Sequence, residues 1–221
     1  MGQLLNIITP LHTRTKRNYL ERMQNEKVYC SEVARKYGKD FWDGDRQFGY
    51  GGYKYDGRWS VAVEALARQY GLKTDARILD VGCGKGFMLY EFKNILKDCT
   101  VKGFDISHYA VKNGKEEIKE DLFCHKAEAA PYPFKDKEFD LVISTGTLHN
   151  LRVYDLKQAL QEIERVGKNK YILVEAFRNI EELFNLQCWA LTCELFFRPE
   201  EWVWLFQEFG YTGDYEFIYF E

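Results

Sequence analysis

Residues 78–91 read ILDVGCGKGFMLYE, and this stretch decides how the chain folds. It begins as an aliphatic run typical of buried parallel strands and continues, after its last glycine, with the period of a helix. Glycines at positions 82, 84 and 86 permit a sharp turn and let a ligand approach the backbone closely. The stretch therefore predicts a strand, a tight turn and a helix whose positive end faces a ligand.

Asp80 lies at the mouth of this predicted turn. A carboxylate at that point suits a cationic amino group better than a phosphate, and the turn lacks the Gly-Lys-Ser/Thr ending of a phosphate loop. The alternative is a glycine-rich turn that only connects two elements. The stretch alone leaves both interpretations open, so the rest of the chain has to decide between them.

Composition limits the classes of protein to consider. The 221 residues suit one domain with a modest extension. The net charge of −3 gives no positive electrostatic field of the kind that attracts nucleic acid. Six cysteines without a Cys-x-x-Cys pair favour free thiols over a zinc site or disulfides. No apolar run is long enough for a membrane span. We expect a cytoplasmic protein with no metal, no nucleic-acid partner and no membrane span.

The N-terminal part combines short helices with an aromatic loop. Residues 13–24 and 27–38 show helical spacing, and a basic group beside them is predicted to be a solvated helix face: His12, Arg14, Lys16 and Arg17. Residues 41–59 mix glycines with aromatic residues and follow neither period. Long loops of this kind are usually functional, so we expect a lid over a site. A surface loop folded onto its own aromatic residues is the alternative.

The strands after the glycines complete the predicted pattern. The second strand ends in Asp105, nineteen residues after Gly86, where an acidic side chain can accept both ribose hydroxyls. Ser107 suits the cap of the following helix better than Asp105 does. Further strands, each separated by a helix or a loop, predict a parallel α/β sheet: residues 122–126, 139–144 and 171–177.

Together these residues resemble the class I S-adenosylmethionine-dependent methyltransferases. ILDVGCGKG is similar to the first motif of that family, and GFDIS to its ribose-binding strand end. AEAAPYPFKDKEFDLVISTGTLHNL resembles the adenine-side loop and fourth strand of small-molecule methyltransferases. Nicotinamide-binding folds share the glycines and the acidic strand end but have no counterpart of this last segment. The resemblance covers residues 60–177.

The resemblance implies an α/β, Rossmann-like, doubly wound and mostly parallel sheet of six or seven strands. It places an extension of helices and aromatic loop at residues 1–59 and the cofactor-binding domain at residues 60–221. Residues 180–197 look like a helical insert that covers the site or forms a homodimer. Only residues 215–220 remain for the final strands. One strand of the usual terminal hairpin is therefore absent, or the N-terminal region supplies a seventh.

The resemblance also implies a cofactor, S-adenosyl-L-methionine, and residues that bind it. Asp80 is expected to face the methionine part, Asp105 the ribose and Ile106 the adenine. Lys126 stands where the family often has an acidic residue, which puts a side-chain bond to the adenine amine in doubt. The other residues expected to line the cofactor are Gly82, Cys83, Gly84, Gly86, Ala127, Glu128 and Ser144.

His149, within STGTLHNL, is the best candidate for a general base because its unperturbed pKa lies near neutrality. A structural or cofactor-lining role is the alternative, and Asn150 is a further pocket residue. Aromatic faces attract cations, so the lid tyrosines are expected to contact the sulfonium or the acceptor: Tyr50, Tyr53 and Tyr55. Arg58 has the fork geometry that binds a carboxylate.

The predicted activity is methyl transfer to an O or N atom of a small polar acceptor. Displacement at a sulfonium chiefly needs orientation and a dry pocket. Aminocarboxypropyl transfer, cyclisation of the cofactor and non-catalytic cofactor binding stay open as alternatives.

Overall fold

The described part of the chain forms a sheet of six strands. A computed structural model describes residues 2–13 and 15–221. The strands are β1 (Arg77–Val81), β2 (Thr100–Asp105), β3 (Leu122–Cys124), β4 (Phe139–Thr145), β5 (Gly167–Glu175) and β6 (Asp214–Ile218). Their order is β3-β2-β1-β4-β5-β6, and every neighbouring pair is parallel.

Helices cover both faces of this sheet. They are α1 (Thr9–His12), α2 (Tyr19–Gln24), α3 (Lys27–Ala34), α4 (Lys39–Asp43), α5 (Ser60–Gln69), α6 (Phe87–Ile95), α7 (His108–Lys112), α8 (Val153–Val166), α9 (Ile180–Trp189) and α10 (Pro199–Glu208). Short 3₁₀ turns occupy Arg46–Phe48, Glu116–Asp121 and Leu148–Asn150. None of the helices within residues 2–13 and 15–221 is both long and apolar enough to cross a membrane.

Successive side chains of β1 point to opposite faces of the sheet, which explains why a layer of helices packs on each face. Leu79 and Val81 join one hydrophobic cluster with α8 and α10, whereas Ile78 joins a second cluster with α5 and α6. All three side chains are fully buried. Because strands buried on both faces are typical of doubly wound sheets, the predicted Rossmann-like α/β fold is confirmed.

The strand order reverses between β1 and β4, which flank each other in the sheet. In open α/β sheets, ligands bind in the crevice outside the carboxyl ends of the strands at such a reversal. The glycine turn follows β1 directly, so the fold places it beside this crevice.

The edge of the sheet at β6 differs from the mostly parallel arrangement that we expected. β6 pairs in parallel directly with β5, so the sheet of described residues is parallel throughout. Leu4 forms an isolated parallel bridge with Tyr215, and the Leu5 N–H donates to the Tyr215 carbonyl at 2.8 Å. The N-terminal segment thus continues the edge for one bridge without becoming a seventh strand.

A buried carboxylate fastens this N-terminal segment to the sheet. Glu216 on β6 is 1% exposed and accepts backbone N–H bonds from Ile7, Ile8 and Thr9. The hydroxyl of Tyr171 on β5 donates to the same carboxylate at 2.6 Å. Four donors on one carboxylate satisfy its hydrogen-bonding capacity in the interior.

The N-terminal basic group is not the solvated face that we expected. His12 packs edge-on against Phe220 with ring centroids 5.0 Å apart, and Arg17 lies over the same ring at 5.4 Å. Lys16 is exposed as predicted, and Arg14 lies outside the described residues. Apolar rings that follow β6 in the sequence, which no local period reveals, account for the difference.

Candidate active site

The glycine turn needs its glycines for space as well as for conformation. Gly82 has a φ of +82°, and a Cβ there would lie 2.1 Å from Oγ1 of Thr147. Gly86 has a φ of +75° and is the N-cap residue of α6. Residues with side chains rarely adopt such angles, so this path of the backbone depends on glycine.

Asp80 presents an unpaired acceptor beside the turn. Its side chain is 2% exposed, and the buried Oδ1 has no hydrogen-bond partner within residues 2–13 and 15–221. Burial, and then the nearby charge of Asp105, raise its pKa to about 8. A buried carboxylate oxygen without a donor is costly, so this atom is suited to a cationic donor supplied by a ligand.

Asp105 holds the glycine turn against the end of β2. Its two oxygens accept the backbone N–H groups of Gly84 and Ser107, each at 2.8 Å. Burial raises its pKa, although these two bonds act in the opposite direction. The Ser107 hydroxyl accepts from the Ala110 N–H at 3.0 Å, so Ser107 is the helix cap as predicted.

The segment 41–59 covers the glycine turn. Trp42 lies so close to the turn that a Cβ on Gly84 would meet its Cη2 at 2.8 Å. Its indole Nε1 donates to the Ser107 hydroxyl at 2.9 Å, and Tyr50 stacks on the ring at 5.2 Å and 13°. The segment is not wholly irregular, because it includes the end of α4 and the 3₁₀ turn Arg46–Phe48.

Lys85, which belongs to the glycine turn, anchors the segment 41–59, called the cover from here on. Lys85 is 6% exposed, and its Nζ donates to both oxygens of Asp43 at 2.7 Å and to the Tyr53 carbonyl at 2.8 Å. The Tyr109 hydroxyl also donates to Asp43, at 2.9 Å. The Tyr53 ring stacks on Phe87, the first residue of α6, at 4.9 Å. The cover and the turn therefore form one packed unit.

Two predicted residues of the cover are engaged elsewhere. The Tyr55 hydroxyl donates to Glu91 on α6 at 2.8 Å, and its ring is 37% exposed. Arg58 is exposed and forms a two-pronged ion pair with Asp56. Their placement gives no support to the predictions that Tyr55 contacts the acceptor and Arg58 binds a ligand carboxylate.

His149 does not have the free nitrogen that a general base needs. Its Nδ1 accepts the backbone N–H of Glu175 at 3.3 Å, and its Nε2 lies 3.4 Å from Oε2 of the same residue. These partners assign the proton of the neutral ring to Nε2. Burial lowers its pKa, with Glu175 acting in the opposite direction. Both ring nitrogens face Glu175, so this placement gives no support to the base role of His149, which stays a prediction.

Glu175, which the sequence reasoning missed, carries the second unpaired acceptor. Its Oε2 is buried and has no hydrogen-bond partner in the described part of the chain. Glu175 ends β5, two strands from β1 in the sheet, so the two acids stand on strands about 10 Å apart. An acid at the carboxyl end of a buried strand was the signal that identified Asp105, and it was equally present here.

Two residues from β4 and the following turn support the site from beneath. Ser144 is fully buried, and its hydroxyl donates to the Val81 carbonyl at 2.8 Å. This bond ties β4 to β1 and occupies the hydroxyl, so it gives no support to the prediction that Ser144 lines the cofactor. Asn150 donates to the carbonyls of Gly146 and Thr147, at 3.3 and 3.1 Å, and its buried Oδ1 has no partner among the described residues.

The predicted adenine side is formed by the ends of β2 and β3. Ile106 is 45% exposed and offers an apolar surface directly after Asp105. Ala127 is buried, and its carbonyl accepts the Tyr132 hydroxyl at 2.6 Å. Glu128 lies 3.9 Å from Lys126. Cys83 is buried in the turn, and burial raises its pKa, so it is an inert thiol there.

These residues fit S-adenosylmethionine. Oδ1 of Asp80 is the orphaned acceptor that an amino group requires. Each Asp105 oxygen accepts one backbone bond and keeps a second lone pair for a ribose hydroxyl. The exposed face of Ile106 adjoins that carboxylate and suits a flat ring.

Comparisons with known proteins agree with this fit. Residues 72–210, more than half of the chain, match the methyltransferase domain family. An uncharacterized protein of Methanocaldococcus jannaschii is 35% identical over 56% of this chain and 52% of its own length. The mouse mitochondrial arginine-hydroxylase NDUFAF5 is 32% identical over 58% of this chain and 36% of its own. The chain thus spans about half the length, or less, of these curated relatives.

Solved structures show the same fold at low identity. A putative methyltransferase in complex with the Haloferax volcanii Trm112 activator has a TM-score of 0.57 and 21% identity, over 85% of this chain and 76% of that one. The YcgJ protein of Bacillus subtilis has a TM-score of 0.52 and 19% identity, over 66% of each chain. On the match over residues 72–210 and this fold, the chain belongs to the class I S-adenosylmethionine-dependent methyltransferases.

Proposed function

We propose that this chain transfers a methyl group from S-adenosylmethionine to an O or N atom of a small polar molecule. The observation that carries the proposal is the pair of buried, unpaired carboxylate oxygens at the carboxyl edge of the sheet. Asp80 belongs to the strand that precedes the glycine turn, and Glu175 ends β5. One acid serves the cofactor and the other serves the acceptor.

In this proposal the chain's own residues bind the cofactor and exclude water. Asp80 holds the amino group, Asp105 holds the ribose hydroxyls, and the bound cofactor supplies an electrophilic methyl group on a sulfonium. Trp42 and the stacked Tyr50 cover the turn, and aromatic faces attract the sulfonium charge. A closed, dry site strengthens these electrostatic contacts.

Glu175 is the proposed proton acceptor. The proton that an acceptor hydroxyl or neutral amine loses, when its O or N atom bonds to the methyl carbon, goes to Oε2 of Glu175. The bond between that carbon and the sulfonium sulfur breaks in the same transfer, and S-adenosylhomocysteine is released. His149 Nε2 lies 3.4 Å from Oε2 of Glu175 without a hydrogen bond to it, so the oxygen stays available to the acceptor. Proton transfer to a positioned side chain typically contributes about 10² to 10⁴ in rate.

Calorimetry with S-adenosylmethionine and S-adenosylhomocysteine tests the cofactor site, and we expect both to bind. Incubation with a metabolite extract and methyl-labelled cofactor, followed by mass spectrometry, should then show labelled product together with S-adenosylhomocysteine. Failure to bind either cofactor form would refute the proposal. Release of methylthioadenosine without S-adenosylhomocysteine would instead indicate aminocarboxypropyl transfer or cyclisation.

Four other expected properties of the protein stay predictions. They are a homodimer, a cytoplasmic location, the lack of a nucleic-acid partner and the boundary between residues 59 and 60. The arginine-hydroxylase relatives act, by name, on arginine. For the present chain, the charges described next favour an acceptor of the opposite sign.

A further inference from the structure

Three arginines surround one indole near the carboxyl end of β5. The guanidinium carbons of Arg17, Arg22 and Arg46 lie 5.3, 4.9 and 5.0 Å from the ring centroid of Trp189. Trp189 is the last residue of α9, within the predicted insert. Residues far apart in the sequence therefore gather three permanent positive charges at one place.

A lysine adds a fourth charge beside the same residue. Lys27 donates from Nζ to the carbonyls of Cys188 and Ala190, which flank Trp189. None of the four cations has a carboxylate within ion-pairing distance among residues 2–13 and 15–221. We name the set Arg17, Arg22, Lys27 and Arg46 the cationic cluster.

The hydrogen bonds of the cationic cluster do not neutralise it. Arg22 donates to the carbonyls of Trp189 and Arg46, and Arg46 donates to the carbonyl of Gly49. Arg17 donates to the carbonyl of His12 at 3.2 Å, but its buried Nε has no partner in the described part of the chain. Carbonyl oxygens fix the positions of the side chains and leave their charges without a counter-ion.

The charges therefore act on one another. Burial and then the charge of Arg46 lower the pKa of Arg22 to about 10, and burial followed by Arg22 lowers that of Lys27 to about 8. Burial also lowers the pKa of Arg17. Like charges held together without a counter-ion destabilise a fold, and an anion bound between them would offset that cost.

Glu175 and the β6 edge of the sheet locate the cationic cluster relative to the glycine turn. Among the acidic groups, Glu175 acts on both Arg17 and Lys27 and raises the pKa of each against burial. Arg17 also lies over Phe220, which follows β6, three strands from β1 in the sheet. With about 4.8 Å between neighbouring strands, that displacement from the glycine turn is about 14 Å.

We propose that Arg17, Arg22 and Arg46 bind an oxyanion, a carboxylate or a phosphate, of the methyl acceptor, whose O or N atom then faces Glu175. The proposal rests on the function proposed above and names the class of its substrate. Guanidinium groups match both oxyanions in geometry, and the Trp189 face holds the guanidinium planes in place.

Thermal melting with small anions tests this site directly. Wild-type protein, with and without saturating S-adenosylhomocysteine, is melted with phosphate, with succinate and with chloride at matched ionic strength. We expect phosphate or succinate to raise the melting temperature beyond chloride, because ligands of the folded state stabilise it. The concentration dependence of that rise gives the apparent Kd for each anion. A rise with phosphate indicates a phosphate ester, and a rise with succinate a carboxylate.

Arg22→Gln and Arg46→Gln should each raise the apparent Kd at least tenfold. Arg68→Gln is the matched control, because Arg68 is exposed on α5 and outside the cationic cluster, and it should keep the wild-type response. If the native arginines served structure alone, both variants would melt lower and respond to the anion as the wild type does. The half-exposed position of Arg46 keeps the test available should Arg22→Gln fail to fold.

Two results would overturn the proposal. One is an equal anion response in wild type and both cluster variants. The other is a response that appears without S-adenosylhomocysteine and vanishes when it is bound, which would assign the arginines to the cofactor's own carboxylate. Calorimetry of S-adenosylhomocysteine on the same samples keeps the two proposals apart. Lost cofactor binding with an intact anion response would count against the methyltransferase activity and not against the oxyanion site.

Discussion

Replacing Asp80 by Asn should stabilise the ligand-free protein at neutral pH and weaken cofactor binding. The pKa of Asp80 is raised from 3.8 to about 8 by burial and by Asp105. The folded state therefore binds more protons than the unfolded state between these values, and the free energy of unfolding falls as pH rises through that window. Asn is neutral at every pH and removes this loss.

The magnitude follows from the two pKa values. Each pH unit between them costs about 1.4 kcal/mol, so from pH 4 to pH 7 the cost approaches about 4 kcal/mol as an upper limit. Asp80→Asn should thus match the wild type near pH 4 and exceed it by a growing margin towards pH 8. Urea unfolding at a series of pH values measures this difference in the free energy of unfolding.

Asp140→Asn is the control with the opposite sign. Asp140 on β4 accepts from Lys168 Nζ and from the Arg77 N–H, each at 2.8 Å. Burial alone would raise its pKa, but these contacts outweigh burial and the net shift is downward. Its contribution is therefore present above pH 4 and lost in acid. Asp140→Asn should lower stability at pH 7, where Asp80→Asn raises it.

Asp80→Asn should lower the affinity for the cofactor although it raises the stability of the ligand-free protein. An amino group selects the ionised form of Asp80, so wild-type affinity for S-adenosylhomocysteine should rise up to tenfold per pH unit below pH 8. Asp80→Asn should bind at least tenfold more weakly, without this pH dependence. A variant that is less stable than wild type at pH 7, or binds as tightly, would refute the orphaned-carboxylate reasoning.

The remaining predictions concern one contact each. Asp105→Asn should weaken S-adenosylhomocysteine binding at least tenfold in calorimetry, since a charge-assisted bond is worth about 1.5 to 3 kcal/mol; unchanged affinity would contradict the ribose assignment. Glu175→Gln should slow product formation, followed by mass spectrometry, about 10²-fold with cofactor affinity unchanged. Lys85→Met removes the anchor of Asp43 and should expose residues 41–59 to limited proteolysis; an unchanged cleavage rate would contradict the anchoring role. Glu216→Gln should lower the melting temperature through its unpaired N–H partners, each costing about 1 to 3 kcal/mol, but leave cofactor affinity intact.

Local patterns explain why the residues proposed to bind the cofactor could be placed from the sequence. The aliphatic run, the three glycines and the acidic strand end act within a few residues of one another, so their spacing alone places them. Asp105 and Ser107 lie where the sequence predicts them, at the end of β2 and at the cap of α7.

The acceptor half depends on contacts between distant residues. His149 appeared suited to proton transfer from its chemistry, but the register of β5 brings Glu175 against both ring nitrogens. Arg17 appeared solvated in its own helical context, yet it packs on Trp189, 172 residues later. The path of residues 41–59 follows no period, so the sequence did not show that Tyr55 would bond to Glu91, 36 residues later. It also did not show that Arg58 would pair with its neighbour Asp56 instead of facing the site.

The residues proposed to bind the cofactor and those proposed to bind the acceptor also lie in different parts of the sequence. The family match begins at residue 72, and it includes Asp80 and Asp105. Trp42 and three arginines of the cationic cluster precede that point, and the Glu216 carboxylate fastens the start of their segment to β6. A segment that is fixed to the sheet can present charges at a constant distance from Glu175. We therefore infer that the extension selects the acceptor and the matched domain holds the cofactor, so exchanging the segment between relatives should change the acceptor and leave S-adenosylhomocysteine affinity unchanged.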